Sequence, residues 1–200
     1  MTYQQFREEF ERFGVFSVRQ VRALCPDFDV GNYIQWKKKG YLLPLKNGWY
    51  AFASCRREPG ISERVAAKIY SPSYLSLEYA MARYGLIPES VVQLTSVTTN
   101  KTANFKNDFG EFSYRTIKPE LMFGYEPRGQ VLMATLEKAI LDFLYINPFY
   151  NTAEELAELR FDEDVLTEDL KLDKFEEYLA RFKCKALEKR VKLMRKVYGI

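Results

Sequence analysis

Asn32, Gln35, Lys38 and Lys39 are the residues of this 200-residue chain whose types and spacing most directly suggest chemistry. The carboxamides of Asn32 and Gln35 can pair with adenine edges, and the ammonium groups of Lys38 and Lys39 can reach phosphate or guanine. On a 3.6-residue period these four share one side of a helix with Gly31, while Val30, Tyr33, Trp36 and the stem of Lys37 fall on the other. Lys37 joins the basic set through its ammonium. A helix with such an outward face is chemically suited to a major groove.

The elements that must hold this face can be read from their punctuation. Asp29 is placed to cap the helix and Gly40, after Lys37-Lys38-Lys39, to stop it. Upstream, Ser17 caps a short helix that turns Val18, Val21 and Leu24 inward; Ser17, Arg19 and Arg22 at that helix are candidate backbone-phosphate contacts. Downstream, Leu42 to Leu45 and Trp49 to Phe52 flank Lys46-Asn47-Gly48, and Asn-Gly between apolar runs predicts a hairpin with Lys46 and Asn47 at its tip. Helix, turn, basic helix and hairpin over Ser17 to Phe52 follow the order of a winged helix-turn-helix. The same parts also serve as protein-protein adaptors, and a lysine triplet near a helix end complements the helix dipole whatever its function, so the adaptor reading stays open.

Other chemistries have less to work with. The chain has no histidine, which removes Ser-His-Asp and Cys-His arrangements and histidine-ligated metals. Neither a phosphate-cradling glycine loop nor a Gly-x-Ser-x-Gly elbow occurs. A carboxylate-metal nuclease needs no histidine, and Glu78, Asp108, Glu111, Glu137 and Asp142 are available to one. None has diagnostic spacing, and no glutamate is followed two residues later by lysine. Glu137 and Lys138 sit at a predicted helix start, where the carboxylate has an ordinary structural role. The expectation is a protein without catalytic residues, metal or cofactor. Cys25, Cys55 and Cys184 are odd in number and widely spaced, unlike a disulfide framework or a zinc site. Thr2 to Phe13 is charged and amphipathic, unlike a signal peptide, and no apolar run reaches membrane-spanning length, so a cytoplasmic location is expected.

Charge is segregated along the chain. Residues 1–57 carry a net +5, 58–150 a net −1, 151–180 a net −8 and 181–200 a net +7, for a total of +3. A basic N-terminal region fits nucleic acid. Residues 3–13 form an amphipathic helix with Phe6, Phe10 and Phe13 on adjoining turns. Ala53 to Gly60 has linker chemistry, and we place a domain boundary there, giving residues 1–57 and 58–200. In the second part, helices are predicted over Ser62 to Tyr70 and from Ser76, capped by that serine. Val91 to Thr98 and two runs around Asn107-Asp108-Phe109-Gly110 read as a small antiparallel sheet. Thr135 caps a helix over Leu136 to Ile146, and capping boxes start at Thr152 with Glu155 and at Asp173 with Glu176. The last helix turns Leu187, Val191 and Met194 inward and is coated by Lys185, Lys189, Arg190, Lys192, Arg195 and Lys196, a second candidate basic surface. The fold class expected is α+β: a winged helix-turn-helix, then a mixed α/β domain with a small antiparallel sheet and a helical C-terminus.

Within the second part, Tyr74-Leu75-Ser76-Leu77-Glu78 with Ala80, Gly85-Leu86-Ile87-Pro88-Glu89, Thr95 to Thr98, Phe112 to Tyr114, Phe123-Gly124-Tyr125 and Leu136 to Asp142 with Leu144-Tyr145 follow one another in an order that resembles the AbiEi family of antitoxins. These belong to bacterial type IV toxin-antitoxin and abortive-infection systems. The resemblance covers nearly the whole chain, since that family also begins with a winged helix-turn-helix. It implies an N-terminal domain that binds inverted repeats in its own operator on double-stranded DNA and represses transcription. It also implies a C-terminal domain that antagonises a nucleotidyltransferase-like toxin, without requiring a stable complex. Carried over by position, groove contact falls to Asn32, Gln35, Lys38 and Lys39, and wing contact to Lys46 and Asn47. The C-terminal motifs read as fold determinants.

Overall fold

A computed structural model describes residues 1–200 and shows a mixed α/β protein with two sheets. Helix α1 (Tyr3–Phe10) begins with a complete capping box between Thr2 and Gln5. Strand β1 (Val15–Ser17) leads into α2 (Val18–Leu24), then come α3 (Gly31–Lys38), β2 (Leu42–Lys46) and β3 (Trp49–Phe52). The strands make an antiparallel sheet in the order β1-β3-β2, with a bulge between Pro44 and Lys46. Aromatic packing organises this region: Phe6 lies within 4.7 to 6.4 Å of the rings of Phe10, Phe16, Phe28, Tyr33, Trp36 and Phe52.

The segment read as a linker, Ala53 to Gly60, is mostly exposed but is anchored at one point. Ala53–Arg57 forms a 3-10 turn with Cys55 fully buried, and Gly60, in the left-handed region at φ +72°, opens α4 (Ile61–Ile69). That helix packs against β1 and β2, and also against β4 (Ser73–Leu75), β5 (Leu94–Thr98) and β9 (Val131–Ala134). One continuous hydrophobic cluster therefore runs from Phe6 to Met194.

The second sheet differs from the small antiparallel one expected. Its six strands, which include β6 (Ala103–Asn107), β7 (Gly110–Thr116) and β8 (Tyr125–Arg128), lie in the order β6-β7-β5-β4-β9-β8. β5 pairs in parallel with β7, and β4 in parallel with β9. The hairpin around Asn107 to Gly110 forms as predicted, whereas the β8–β9 hairpin carried no alternating pattern to reveal it. β5 is buried along its whole length, as expected of an inner strand covered on both faces.

Helix α5 (Leu77–Arg83) follows β4, but Ser76 makes no cap bond to it. Thr135 does cap α6 (Leu136–Ile146), and Thr152 with Glu155 forms the capping box of α7 (Ala153–Ala157). Helix α8 (Leu172–Phe182) starts at Lys171 without a side-chain cap, so the box expected at Asp173 is absent. Helix α9 (Lys185–Tyr198) ends the chain, packed on α6, α7 and α8. No helix is long and apolar enough to cross a membrane.

Candidate nucleic-acid interface

Helix α3 is held by its two buried aromatics. Trp36 meets the edge of Tyr3 at 5.4 Å and packs on Phe6 at 4.8 Å, while Tyr33 stacks on Tyr50 of β3 with ring centroids 5.1 Å apart and planes within 4°. The stack fixes the helix against the hairpin. The cap position falls on Val30, without a side-chain cap bond, and not on Asp29 as expected; Asp29, one residue earlier, still accepts a hydrogen bond from the Gly31 N–H at 2.8 Å, and Gly40 at φ +70° takes the left-handed conformation that releases the chain.

With Tyr33 and Trp36 inward, the outward face consists of Gln35, Lys38 and Lys39, all exposed, with Asn32 half-buried at the flank. Val30, expected inward, is 47% exposed, because the helix begins one residue later and only positions 33 and 36 reach the core. Ile34, which the sequence did not single out, is 55% exposed at the edge of this face beside Lys38. Its signal was available, since residue 34 stands one turn from Val30 and Lys38. Leu24 of α2, also expected inward, is 50% exposed; of its helix only Val21 is fully buried.

Around α3, the Ser17 hydroxyl accepts from the Gln20 N–H at 3.1 Å and is thereby committed to capping α2, which leaves exposed Arg19 as the freer group. Lys37 lies with its ammonium 5.9 Å from the Tyr50 ring centroid. Asn47 is exposed in the β2–β3 turn beside Gly48, at φ +77°. The wing-tip role expected of Lys46 is not the one its side chain takes. Its ammonium donates to the Ile69 carbonyl at 3.2 Å and sits over the rings of Tyr70, at 4.1 Å, and Phe105, at 4.6 Å. Burial there pushes its pKa down. The adjacent bulge re-aims side chains at this point. Lys46 thus ties the hairpin to the second part, where the Asn107 amide also donates to the Leu45 carbonyl at 3.3 Å.

The second candidate basic surface is narrower than its sequence suggests. Arg190 is not on it: the side chain is buried, and Nε donates to the Leu144 carbonyl at 3.0 Å, closing the C-terminal part of α6. Arg195 pairs with Glu176 of α8. Exposed Lys185, Lys189, Lys192 and Lys196, which form no ion pairs, remain at i, i+4, i+7 and i+11, a single stripe along α9.

The carboxylates considered for metal chemistry are dispersed. Glu111 pairs with Lys106 and Asp108 with Arg56; Glu137 accepts from the Lys171 N–H at 3.2 Å. Asp142 is fully buried in a cluster with Lys138, Tyr74 and Ser76. No three carboxylate or cysteine side chains come together as metal ligands do. Compared with models of known protein families and with curated proteins, the chain matches none.

Proposed function

We propose that this chain is a DNA-binding autorepressor and antitoxin, in which α2 and α3 form a helix-turn-helix, β2–β3 its wing, and the remainder a domain that counteracts a nucleotidyltransferase-like toxin. The observation that carries the DNA-binding half is the outward face of α3: Gln35, Lys38 and Lys39 free of intramolecular partners, Asn32 beside them, on a helix locked by Tyr33 and Trp36. Amide side chains read adenine, lysines hold phosphates, and Ile34 suits apolar contact with a thymine methyl. The antitoxin half rests on the motif order that resembles AbiEi antitoxins.

A second reading has one observation in its favour. Leu24, Val30 and Ile34 are exposed apolar side chains on the α2–α3 pair, as a protein-docking adaptor would present. Gel-shift titration of the full chain against the DNA upstream of its own gene, at several salt concentrations, separates the two. The repressor binds, with log affinity falling linearly against log salt. An adaptor shows no preference for that DNA over a scrambled duplex. The antitoxin half is tested separately by co-expression with the nucleotidyltransferase-like product of an adjacent gene: growth is rescued by the intact chain, and absence of rescue removes this half.

A further inference from the structure

At the seam where Pro59-Gly60 joins the two parts, a cleft of about 420 Å³ opens between α4, α5 and the β8–β9 hairpin. Three arginines line it from three different elements: Arg64 of α4, Arg83 at the end of α5 and Arg128 at the end of β8. Two of them, Arg83 and Arg128, have no carboxylate partner. Arg64 pairs with Glu58 through one terminal nitrogen, while its Nε is buried and without any hydrogen-bond partner. Arg128 is held over the Tyr84 ring at 5.6 Å and donates to the Tyr84 hydroxyl at 3.3 Å, an interaction that orients a guanidinium and leaves its charge intact. Arg83 is exposed and makes no ion pair.

The rest of the lining narrows the ligand. Glu63 is the one carboxylate facing the cleft; it accepts from the Tyr79 hydroxyl at 2.7 Å and keeps lone pairs for a second donor. It repels a second anionic group nearby and favours a hydroxyl or amino group. Leu75, Val131 and Met133 supply an apolar wall. We propose that this cleft binds a small organic phosphate of mononucleotide size, its phosphate held by Arg64, Arg83 and Arg128 and its hydroxyl or amino donors facing Glu63. A phosphate monoester offers an oxygen to each of three guanidiniums, and the volume lies within the usual range of about 300–1,000 Å³ for small-molecule sites.

Isothermal titration of the full chain with the four ribonucleoside 5′-monophosphates tests this, with inorganic phosphate and adenosine as the two halves of the ligand. The expected result is binding of at least one monophosphate, at least tenfold tighter than either half, and weakened at least tenfold in the combined R83A/R128A variant. Both substitutions lie at exposed positions, and an unchanged circular dichroism spectrum establishes that the variant folds. E63Q keeps the Tyr79 contact and is expected to lower discrimination between monophosphates while retaining phosphate affinity. Absence of heat with all four compounds up to about 10 mM, binding unchanged in R83A/R128A, or inorganic phosphate binding as tightly as the nucleotides would overturn the proposal.

Discussion

Lys138 and Asp142, one helical turn apart on α6, form a fully buried ion pair that the Tyr74 hydroxyl bridges, accepting from the ammonium at 2.9 Å and donating to the carboxylate at 2.7 Å. Ser76 donates to the same carboxylate oxygen at 2.9 Å, and the rings of Phe123 and Phe182 each lie 4.9 Å from the ammonium. The pair joins β4, α6 and α8. Burial pushes the Asp142 carboxyl up and the Lys138 ammonium down, each opposed by the other's charge.

Replacing Lys138 with Met strands a buried carboxylate, and we expect a loss of about 3–5 kcal/mol in denaturant unfolding. A carboxyl with a raised folded pKa binds more protons folded than unfolded. Its contribution is fully present below the unfolded value, about 3.9, and is lost as pH rises through the folded value. Without the opposing ammonium that loss is larger, so the Tm of K138M falls more steeply than that of the wild type as pH rises above about 4. Adding Asp142→Leu restores part of the stability, the Tyr74 and Ser76 hydroxyls still lacking their acceptor. Parallel pH profiles for K138M and wild type would show that the pair is not coupled as described.

At α3, Gln35→Ala in the full chain is expected to relax base preference at one operator position by about 1–3 kcal/mol with stability unchanged. Lys38→Ala and Lys39→Ala each weaken all duplexes to a similar extent and reduce the salt slope by about 0.9 for each phosphate that is no longer neutralised. Competition gel shifts with single-base operator variants measure both effects. A uniform loss for Q35A contradicts its role as a base reader.

Lys46 separates the two roles a hairpin lysine can have. Lys46→Met keeps the stem but removes the Ile69 carbonyl bond and the interaction with Tyr70 and Phe105, for an expected loss of about 1–2 kcal/mol. Amide exchange should quicken in β2 and around Ile69 and Tyr70. Unchanged exchange with strongly weakened DNA binding would return Lys46 to the phosphate-contact role.

On α9 the buried and exposed cations should behave in opposite ways. Arg190→Ala leaves the Leu144 carbonyl unpaired in a buried position and is expected to cost about 2–3 kcal/mol, measured by thermal unfolding. Lys189→Glu with Lys192→Glu lies on the open stripe and should alter Tm little while abolishing rescue from the toxin. Full rescue by the double variant eliminates the stripe as the antitoxin surface.

Phe6→Ala removes the ring at the centre of the aromatic packing and is expected to cost about 3–5 kcal/mol. DNA binding should fall in proportion to the unfolded fraction, with the salt slope of the remaining folded protein unchanged. A changed slope would mean that α1 participates in the interface.

What could be read from the sequence was local. The inward pair Tyr33 and Trp36, the outward Gln35, Lys38 and Lys39, the caps at Ser17, Thr135 and Thr152, and the Asn107 to Gly110 hairpin each depend on residues within a few positions, where helical period, cap chemistry and turn preference act directly. Val30 and Leu24 departed from expectation because they sit at helix ends, where a one-residue shift decides whether a side chain reaches the core.

The tertiary structure decided everything that depends on a distant partner. The six-strand order follows from parallel pairings between segments far apart in sequence, such as Leu75 with Met133, which no local pattern encodes. Lys46, Arg190, Lys138 and Asp142 have the composition of surface residues, and each became structural because a carbonyl, an aromatic ring or an opposite charge from another element awaited it in the interior. The three arginines of the seam cleft are 19 and 45 residues apart along the chain, at positions 64, 83 and 128, and only folding brings their charges to one place. Sequence determined which side chains were available and how each short element would form; burial, which depends on what packs opposite, determined the use of each charge.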